Sequence, residues 1–249
     1  ISPDLTRNDV SKLGASGGPI TKDDTGAEHY CTIFSFVESP HEIGVFWAGS
    51  DDGLIHVSRD NGNTWTNVTP TELPEWALVS NIEISPHNRD VIYFSAHKYK
   101  LNDRSPYLFR TEDGGGTWES IITGIPADEF TRVIKEDPVE CGLLYCGTEL
   151  GVYVSFDRGN NWQSFQTNLP VVPIHDLVIK DGNLVAATHG RSFWIFDNLN
   201  VVREIMQRQL GSDPTLFKPA AYVRNLSAAG GLRGGKSGKN YTIGAGAAL

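Results

Sequence analysis

The sequence has no long apolar run and no excess of basic residues. No stretch reaches the about 18 apolar residues that a membrane-spanning helix needs, so we expect no membrane span. Lys and Arg number 21 against 30 Asp and Glu, which gives a net charge of −9. Because nucleic-acid binding depends on a basic face that displaces counterions, we expect no nucleic-acid partner.

Cysteine is also scarce. Cys31, Cys141 and Cys146 make an odd count without metal-ligand spacing, and the histidines do not cluster, so the sequence predicts no metal and no cofactor. Cys141 and Cys146 flank a short segment and could form a disulfide if both side chains face the same way. The favoured interpretation is that all three are small, buried apolar side chains.

Aromatic residues and glycine are plentiful instead. Aromatic residues make up 10% of the 249 residues, with 6 Trp, and Gly numbers 26. Hydrophobic residues reach 39% and charged residues 20%, a balance that supports a packed core. Many short strands joined by tight turns fit this composition better than a helical bundle, so we expect an all-β fold.

One pattern, Ser/Thr-x-Asp-x-Gly-x-Thr/Asn-Trp, occurs at 58–65, 111–118 and 155–162. Each copy lies between two strand-like runs, which predicts the turn of a β-hairpin. Asp and hydroxyl side chains can accept backbone N–H groups, Gly tolerates positive φ, and Trp offers a large apolar surface. We therefore expect a structural role for the repeated residues, namely Ser58, Asp60, Gly62, Trp65, Asp113, Gly115, Trp118, Asp157, Gly159 and Trp162.

Two further strand-like runs precede each turn, so each repeat of roughly 40–50 residues holds four strands, the pattern of β-propeller blades. The sequence predicts a partial β-propeller over residues 1–225, with about three and a half to four four-stranded blades near 28–70, 78–123, 130–168 and 174–198. Unrelated hairpins in a β-sandwich are the alternative. Since propellers use about four to eight blades, we expect the remaining blades to precede Ile1, or to come from a partner piece or another copy.

A closing segment is predicted at 199–225. Val202, Ile205, Met206 and Leu210 share one face at helical spacing and predict a short C-terminal helix over 199–210. Residues 216–223 could add a strand that helps to close the ring. Residues 226–249 are predicted to form a Gly-rich linker toward a missing C-terminal domain.

The three turns resemble the Asp boxes, or BNR repeats, of sialidases, xyloglucanase-type propellers and sortilin-type receptors. Longer stretches are similar to exported bacterial proteins described as BNR-repeat glycosyl hydrolases or sortilin-type propellers; these stretches are 17–26, 47–53, 74–77, 130–134 and 188–194. The resemblance covers residues 1 to about 225, and 238–247 resemble the start of a following β-sandwich domain. It implies a propeller fold and a secreted, periplasmic or cell-surface location. It leaves the function open, because the hydrolase label accompanies a structural repeat.

Candidate binding residues lie opposite the Asp boxes, where loops lead into the innermost strands and join second strands to third strands. The residues of this candidate face are Asp51, Asp52, Trp76, Arg132, Glu149, His175, His189 and Arg191. A long loop predicted at 97–104 adds to it. Converging charges beside an aromatic ring suit a sugar or a polar peptide. Structural interpretations remain open: a turn for the two Asp residues, interblade packing for the Trp, and a salt bridge between Arg132 and Glu149.

The leading hypothesis is a non-catalytic binding module of a larger secreted protein, with carbohydrate or protein as its ligand. The first alternative is a glycoside hydrolase, whose two carboxylates would come from Asp52, Glu75, Glu129 and Glu149. Asp52 and Glu149 are the leading catalytic candidates. A sialidase is disfavoured because no Arg-Ile-Pro segment occurs. The second alternative is a structural scaffold in an extracellular assembly.

Overall fold

The computed structural model describes residues 2–12, 16–17, 22–23, 30–208 and 216–217. These residues form short strands joined by tight turns, followed by one helix, α1, at Asn200–Arg208. The strands are β1 (Ser16–Gly17), β2 (Lys22–Asp23), β3 (Ile33–Glu38), β4 (Phe46–Ser50), β5 (Ile55–Ser58), β6 (Thr66–Asn67), β7 (Leu78–Ile84), β8 (Ile92–Lys98), β9 (Asp103–Thr111), β10 (Glu119–Ser120), β11 (Thr131–Glu136), β12 (Leu144–Thr148), β13 (Val152–Ser155), β14 (Gln163–Ser164), β15 (Ile174–Lys180), β16 (Asn183–Thr188) and β17 (Phe193–Phe196).

Strands β3 to β17 form four antiparallel sheets, which we number as blades in chain order. Blade 1 contains β3 to β6, blade 2 contains β7 to β10, blade 3 contains β11 to β14 and blade 4 contains β15 to β17. Within each blade the strands pair in chain order, so every blade is a simple meander. The separate strands β1 and β2 pair with each other.

The innermost strand of each blade lies against the innermost strand of the next blade. β3 contacts β7, β7 contacts β11, and β11 contacts β15. The four sheets therefore follow one another around an axis, which confirms the predicted partial β-propeller and excludes the β-sandwich. Blade 4 has three strands within the described residues, whereas the first three blades have four each.

The hydrophobic core lies between blades, in three clusters. The cluster between blades 1 and 2 includes the buried side chains of Trp47, Ile55, Ile82, Phe94 and Phe109. Similar clusters join blade 2 to blade 3 and blade 3 to blade 4. Because successive residues of a strand point to opposite faces of the sheet, one blade contributes to the clusters on both of its sides. A blade therefore needs a neighbour on each side to bury its apolar residues.

Helix α1 packs against the cluster between blades 3 and 4. Val202 is buried there and Met206 is half-buried. Arg203 donates through Nε to both carboxylate oxygens of Asp137, at 3.0 Å each. The predicted helix over 199–210 is thus present at 200–208, and residues 209–210 lie outside the described residues. Residues 216–217 are not in a strand; the rest of the predicted closing strand and the predicted linker at 226–249 also lie outside the described residues.

Two local predictions are wrong. The segment 97–104 is not a long loop, because Lys98 pairs with Asp103 across a short 3-10 turn and extends β8 and β9. The cysteines are not all buried: Cys146 is buried, Cys31 is half-buried and Cys141 is exposed, and all three are free thiols. Cys146 faces the core between blades 2 and 3, whereas Cys141 lies in the turn before β12, so the two do not form a disulfide.

Candidate functional site

The repeated Asp turns join the third and fourth strands of blades 1 to 3 and are closed by side-chain hydrogen bonds. In the first turn, the Ser58 hydroxyl donates to Asp60 at 2.9 Å and accepts from the Gly62 N–H at 2.9 Å. Asp60 accepts a further backbone N–H of the turn at 2.8 Å. The same bonds recur around Asp113 and Asp157. These carboxylates are therefore occupied by their own turns, at the opposite end of the sheets from the candidate face.

The tryptophan that ends the turn in blades 2 and 3 reaches back toward the preceding blade. The indole N–H of Trp118 in blade 2 donates to the Val68 carbonyl of blade 1 at 2.7 Å. The indole N–H of Trp162 in blade 3 donates to the Ile121 carbonyl, just after the last strand of blade 2, also at 2.7 Å. Trp65, in blade 1, donates to a carbonyl of its own turn at 3.1 Å. The turn thus joins a blade to the blade before it.

A second repeat, which the sequence analysis missed, reaches forward to the next blade. Ser-Pro-His follows the innermost strand at 39–41 and again at 85–87. His41 Nε2 lies 2.8 Å from the Ser85 carbonyl of blade 2, and His87 Nε2 lies 2.7 Å from the Asp137 carbonyl of blade 3. The repeated tripeptide itself was the available signal.

Each innermost strand begins with a β-bulge at the same position of the blade. The bulges lie between Ile33 and Ser35, Val79 and Asn81, Thr131 and Val133, and Ile174 and Asp176. A bulge leaves one residue unpaired and redirects its side chain. The four unpaired residues are Phe34, Ser80, Arg132 and His175, so the bulges place two members of the candidate face at equivalent positions of blades 3 and 4.

In blade 1, the two aspartates of the candidate face are buried and accept backbone N–H groups from the part of the chain that precedes β3. Asp51 accepts the backbone N–H groups of Cys31 and Thr32 at 2.9 Å each. Asp52 accepts the Arg7 N–H at 2.7 Å and the Ser50 hydroxyl. Neither carboxylate of the pair projects freely from the surface.

Arg7 is a residue of this region that the sequence analysis did not identify. Its Nε donates to the Asp52 carbonyl at 2.9 Å, and its Nη1 pairs with the exposed Glu75 at 3.0 Å. Its guanidinium lies 5.9 Å from the centre of the Trp76 ring, and Tyr30 packs edge-on against the same ring at 5.6 Å. The backbone of Trp76 has φ of 66°, a left-handed conformation that is uncommon for a bulky residue.

Arg132, the unpaired residue of the blade 3 bulge, lies between a carboxylate and two aromatic rings. It donates to one oxygen of Glu149 through Nε at 2.9 Å and through Nη2 at 2.7 Å. Its guanidinium is 5.3 Å from the centre of the Tyr99 ring and 4.9 Å from that of Phe130. Tyr99 and Phe130 stack on each other at 4.8 Å. Burial, together with the positive charge of Arg132, lowers the pKa of the adjacent His97 to about 4.

In blade 4, the structure brings together two histidines that are far apart in the sequence. Nδ1 of His189 lies 3.2 Å from Nε2 of His175, and both rings are exposed. Partial burial lowers the pKa of His175, and the nearby positive charges of Arg132 and His189 lower it further. Arg191 is exposed, and its carbonyl accepts the Trp194 indole N–H at 3.0 Å.

The carboxylates proposed for catalysis are all held by neighbouring residues. Asp52 is bound as described above, and Glu75 and Glu149 pair with arginines. Glu129 is buried and accepts the Tyr153 hydroxyl at 2.8 Å and the Thr148 hydroxyl. Within the described ranges, no group of three His, Cys, Asp or Glu side chains is arranged to hold a metal ion. No helix in the same ranges is long and apolar enough to cross a membrane.

Comparisons with known proteins agree with the fold. No family model matches the chain. The chain is 33% identical over 102 residues to the vacuolar protein sorting/targeting protein 10 of Laccaria bicolor, a match that covers 40% of this chain and 6% of that protein. Among solved structures, a GH74 xyloglucanase from Xanthomonas campestris superposes with a TM-score of 0.53 at 14% identity, over 66% of this chain and 29% of that one. The structure of YCF48 bound to D1 peptide superposes with a TM-score of 0.51 at 20% identity, over 67% and 52%.

The chain therefore spans a small part of the curated relative and about half or less of these two structures. At such identities the two superpositions define the class of fold, part of a β-propeller. The relative supports a likeness to Vps10-type proteins over the matched residues.

Proposed function

We propose that the chain is a non-catalytic binding part of a β-propeller of the Asp-box type, which presents the candidate face to a carbohydrate or protein ligand. One observation carries the proposal. The four carboxylates available for acid–base chemistry are bonded to neighbours, whereas the groups suited to binding are exposed. The exposed groups are Tyr99, His175, His189 and Arg191.

A glycoside hydrolase is the alternative, and the geometry weighs against it. Its general acid must reach the glycosidic oxygen, and its partner must reach the sugar ring or a water molecule. Asp52 is fully buried beneath the Arg7 segment. Glu149 directs one oxygen at the Arg132 guanidinium, which favours a positioning role for both side chains.

The similar structures suggest which ligands to test first. One similar structure is a xyloglucanase and another is bound to a peptide, so xyloglucan oligosaccharides and extended peptides are suitable first ligands. An exported location is part of the proposal, supported by the resemblance to exported propellers and by the match to a sorting protein. Other propeller blades are the partners that the incomplete ring requires.

Binding of a glycan array and a peptide array to the full chain tests the proposal. Hits are then measured with Arg191→Ala and His189→Ala, and with Ile43→Ala as a matched exposed control at the other end of the sheets. We expect each face variant to weaken binding by about tenfold, which corresponds to about 1.4 kcal/mol, and the control to leave it unchanged. Hydrolysis of a glycan that disappears in Glu149→Gln would show an enzyme instead.

A further inference from the structure

The two histidines of blade 4 occupy the positions that hold an ion pair in blade 3. His175 is the unpaired residue of the blade 4 bulge, as Arg132 is in blade 3. His189 directly follows the second strand of its blade, as Glu149 does. The backbone N–H groups of Glu149 and His189 each donate to the carbonyl two residues before the bulge residue, at 3.1 and 3.0 Å. The two pairs of side chains are therefore equivalent in the fold.

The blade 4 pair differs from the blade 3 pair because its members do not carry opposite charges. Arg132 and Glu149 bind each other directly. In blade 4, Nδ1 of His189 instead faces Nε2 of His175 at 3.2 Å. A neutral imidazole has one N–H and one lone pair, so the facing nitrogens can share a single proton, whereas two protonated rings would repel each other. A metal ion can replace the shared proton, because it binds the lone pairs of both rings.

The separation of the facing nitrogens matches the spacing of two ligands on one metal ion. Nitrogen ligands lie about 2.0–2.1 Å from a tetrahedral zinc ion, which places two of them about 3.3–3.4 Å apart. The observed 3.2 Å is close to this value, so a small rotation of the exposed rings would direct both lone pairs at one ion. The turn that carries His189 is held as well, because the Thr188 hydroxyl donates to the Ser192 carbonyl at 2.6 Å. The two ligands therefore lose little freedom when an ion binds.

We infer that His175 and His189 form a two-histidine chelate for a divalent transition-metal ion such as Zn²⁺, Ni²⁺ or Cu²⁺. Imidazole nitrogen suits these ions, whereas Mg²⁺ and Ca²⁺ prefer oxygen ligands. Among the residues that the structure describes, no third His, Cys, Asp or Glu side chain completes the group. Water, or a ligand bound at the candidate face, would fill the other coordination positions. The expectation of no metal depended on histidines that do not cluster along the chain, whereas these two are 14 positions apart and meet only in the fold.

Titration of the full chain with Zn²⁺ alone tests the inference, and long-range proton–nitrogen NMR spectra of the histidine rings show which nitrogens bind. Zn²⁺ should shift Nε2 of His175 and Nδ1 of His189 together, and the ring that donates in the metal-free chain should move its proton to its other nitrogen. Mg²⁺ at the same concentration should shift neither. His175→Gln and His189→Gln should each weaken Zn²⁺ binding by at least about tenfold, because a single imidazole lacks the gain from binding through two linked ligands.

His41→Gln is the matched control for the two histidine variants. His41 is also exposed, but its Nε2 faces the Ser85 carbonyl rather than a second ligand, so the control should keep the Zn²⁺ affinity. Facing nitrogens that do not shift at about 1 mM Zn²⁺ would overturn the inference, because a site with a Kd of about 1 mM would already be half-occupied. A Zn²⁺ affinity that is unchanged in either His175→Gln or His189→Gln would overturn it as well. No carbohydrate or peptide takes part, so either result is independent of the ligand proposed above.

Discussion

Replacing Arg203 with Met tests whether α1 is fastened to the propeller by a buried ion pair. Asp137 is fully buried, and Arg203 reaches it with Nε 3.0 Å from both oxygens and Nη2 3.0 Å from one. Removing one partner of a buried pair costs about 3–5 kcal/mol, because the remaining charge is left without compensation. Asp137 keeps two backbone N–H bonds at Oδ1, at 2.8 and 3.0 Å, so we expect a loss near the lower end, about 3 kcal/mol.

Urea unfolding at pH 7, followed by Trp fluorescence, gives the free energy of unfolding for this comparison. A loss of about 3 kcal/mol corresponds to a decrease in Tm of about 6–12 °C for a domain of this size. Gln207→Met is the matched control in the same helix, because Gln207 is exposed and its hydrogen bond to Glu140 lies on the surface, so the change should cost about 0.5 kcal/mol or less. If Arg203→Met lowered the free energy of unfolding by no more than this control, the proposed fastening of α1 would be refuted.

Three further changes test the packing of the blades, each by urea unfolding. Trp118→Phe should cost about 1–3 kcal/mol, because it leaves the Val68 carbonyl without its donor, whereas Trp65→Phe should cost less since its indole bonds within its own turn. Burial keeps the folded pKa of His97 at about 4, below the unfolded value, so stability should fall by about 2 kcal/mol between pH 7 and pH 5, and His97→Gln should remove that part of the decline. Gly147→Ala should cost about 1–3 kcal/mol, because a Cβ there would lie 2.6–2.7 Å from side chains of the innermost strands of blades 3 and 4; an unchanged midpoint would contradict the tight interblade packing.

The blade pattern could be predicted from the sequence because the Asp turns are local. Their hydrogen bonds join residues two to four positions apart, so a short motif contains the whole interaction. The fourth strands are two residues long, at Thr66–Asn67, Glu119–Ser120 and Gln163–Ser164. The 97–104 segment looked like a loop because Lys, Asn and Asp dominate it. Asn102 takes a left-handed conformation at φ 62°, which allows the strands to continue close to the turn.

The candidate face was less predictable because its contacts depend on the relative positions of blades. Nothing in the sequence joins Arg7 to Asp52, or Arg132 to the stacked rings of Tyr99 and Phe130. The pairing of His175 with His189 follows from a bulge in β15, which a strand pattern does not reveal. His175, His189 and Arg191 were predicted from the sequence and are exposed, whereas the predicted Asp51 and Asp52 are buried and the exposed Tyr99 was not predicted.

Blade 3 has a different tripeptide at the position where blades 1 and 2 have Ser-Pro-His, and its contacts differ accordingly. In blades 1 and 2, a histidine after the innermost strand bonds forward to the next blade. In blade 3 the tripeptide is Asp-Pro-Val, so Val139 cannot donate, and it is exposed. The aspartate that replaces serine, Asp137, instead binds Arg203 of α1. At this turn a contact with helix α1 stands where blades 1 and 2 have the forward histidine contact.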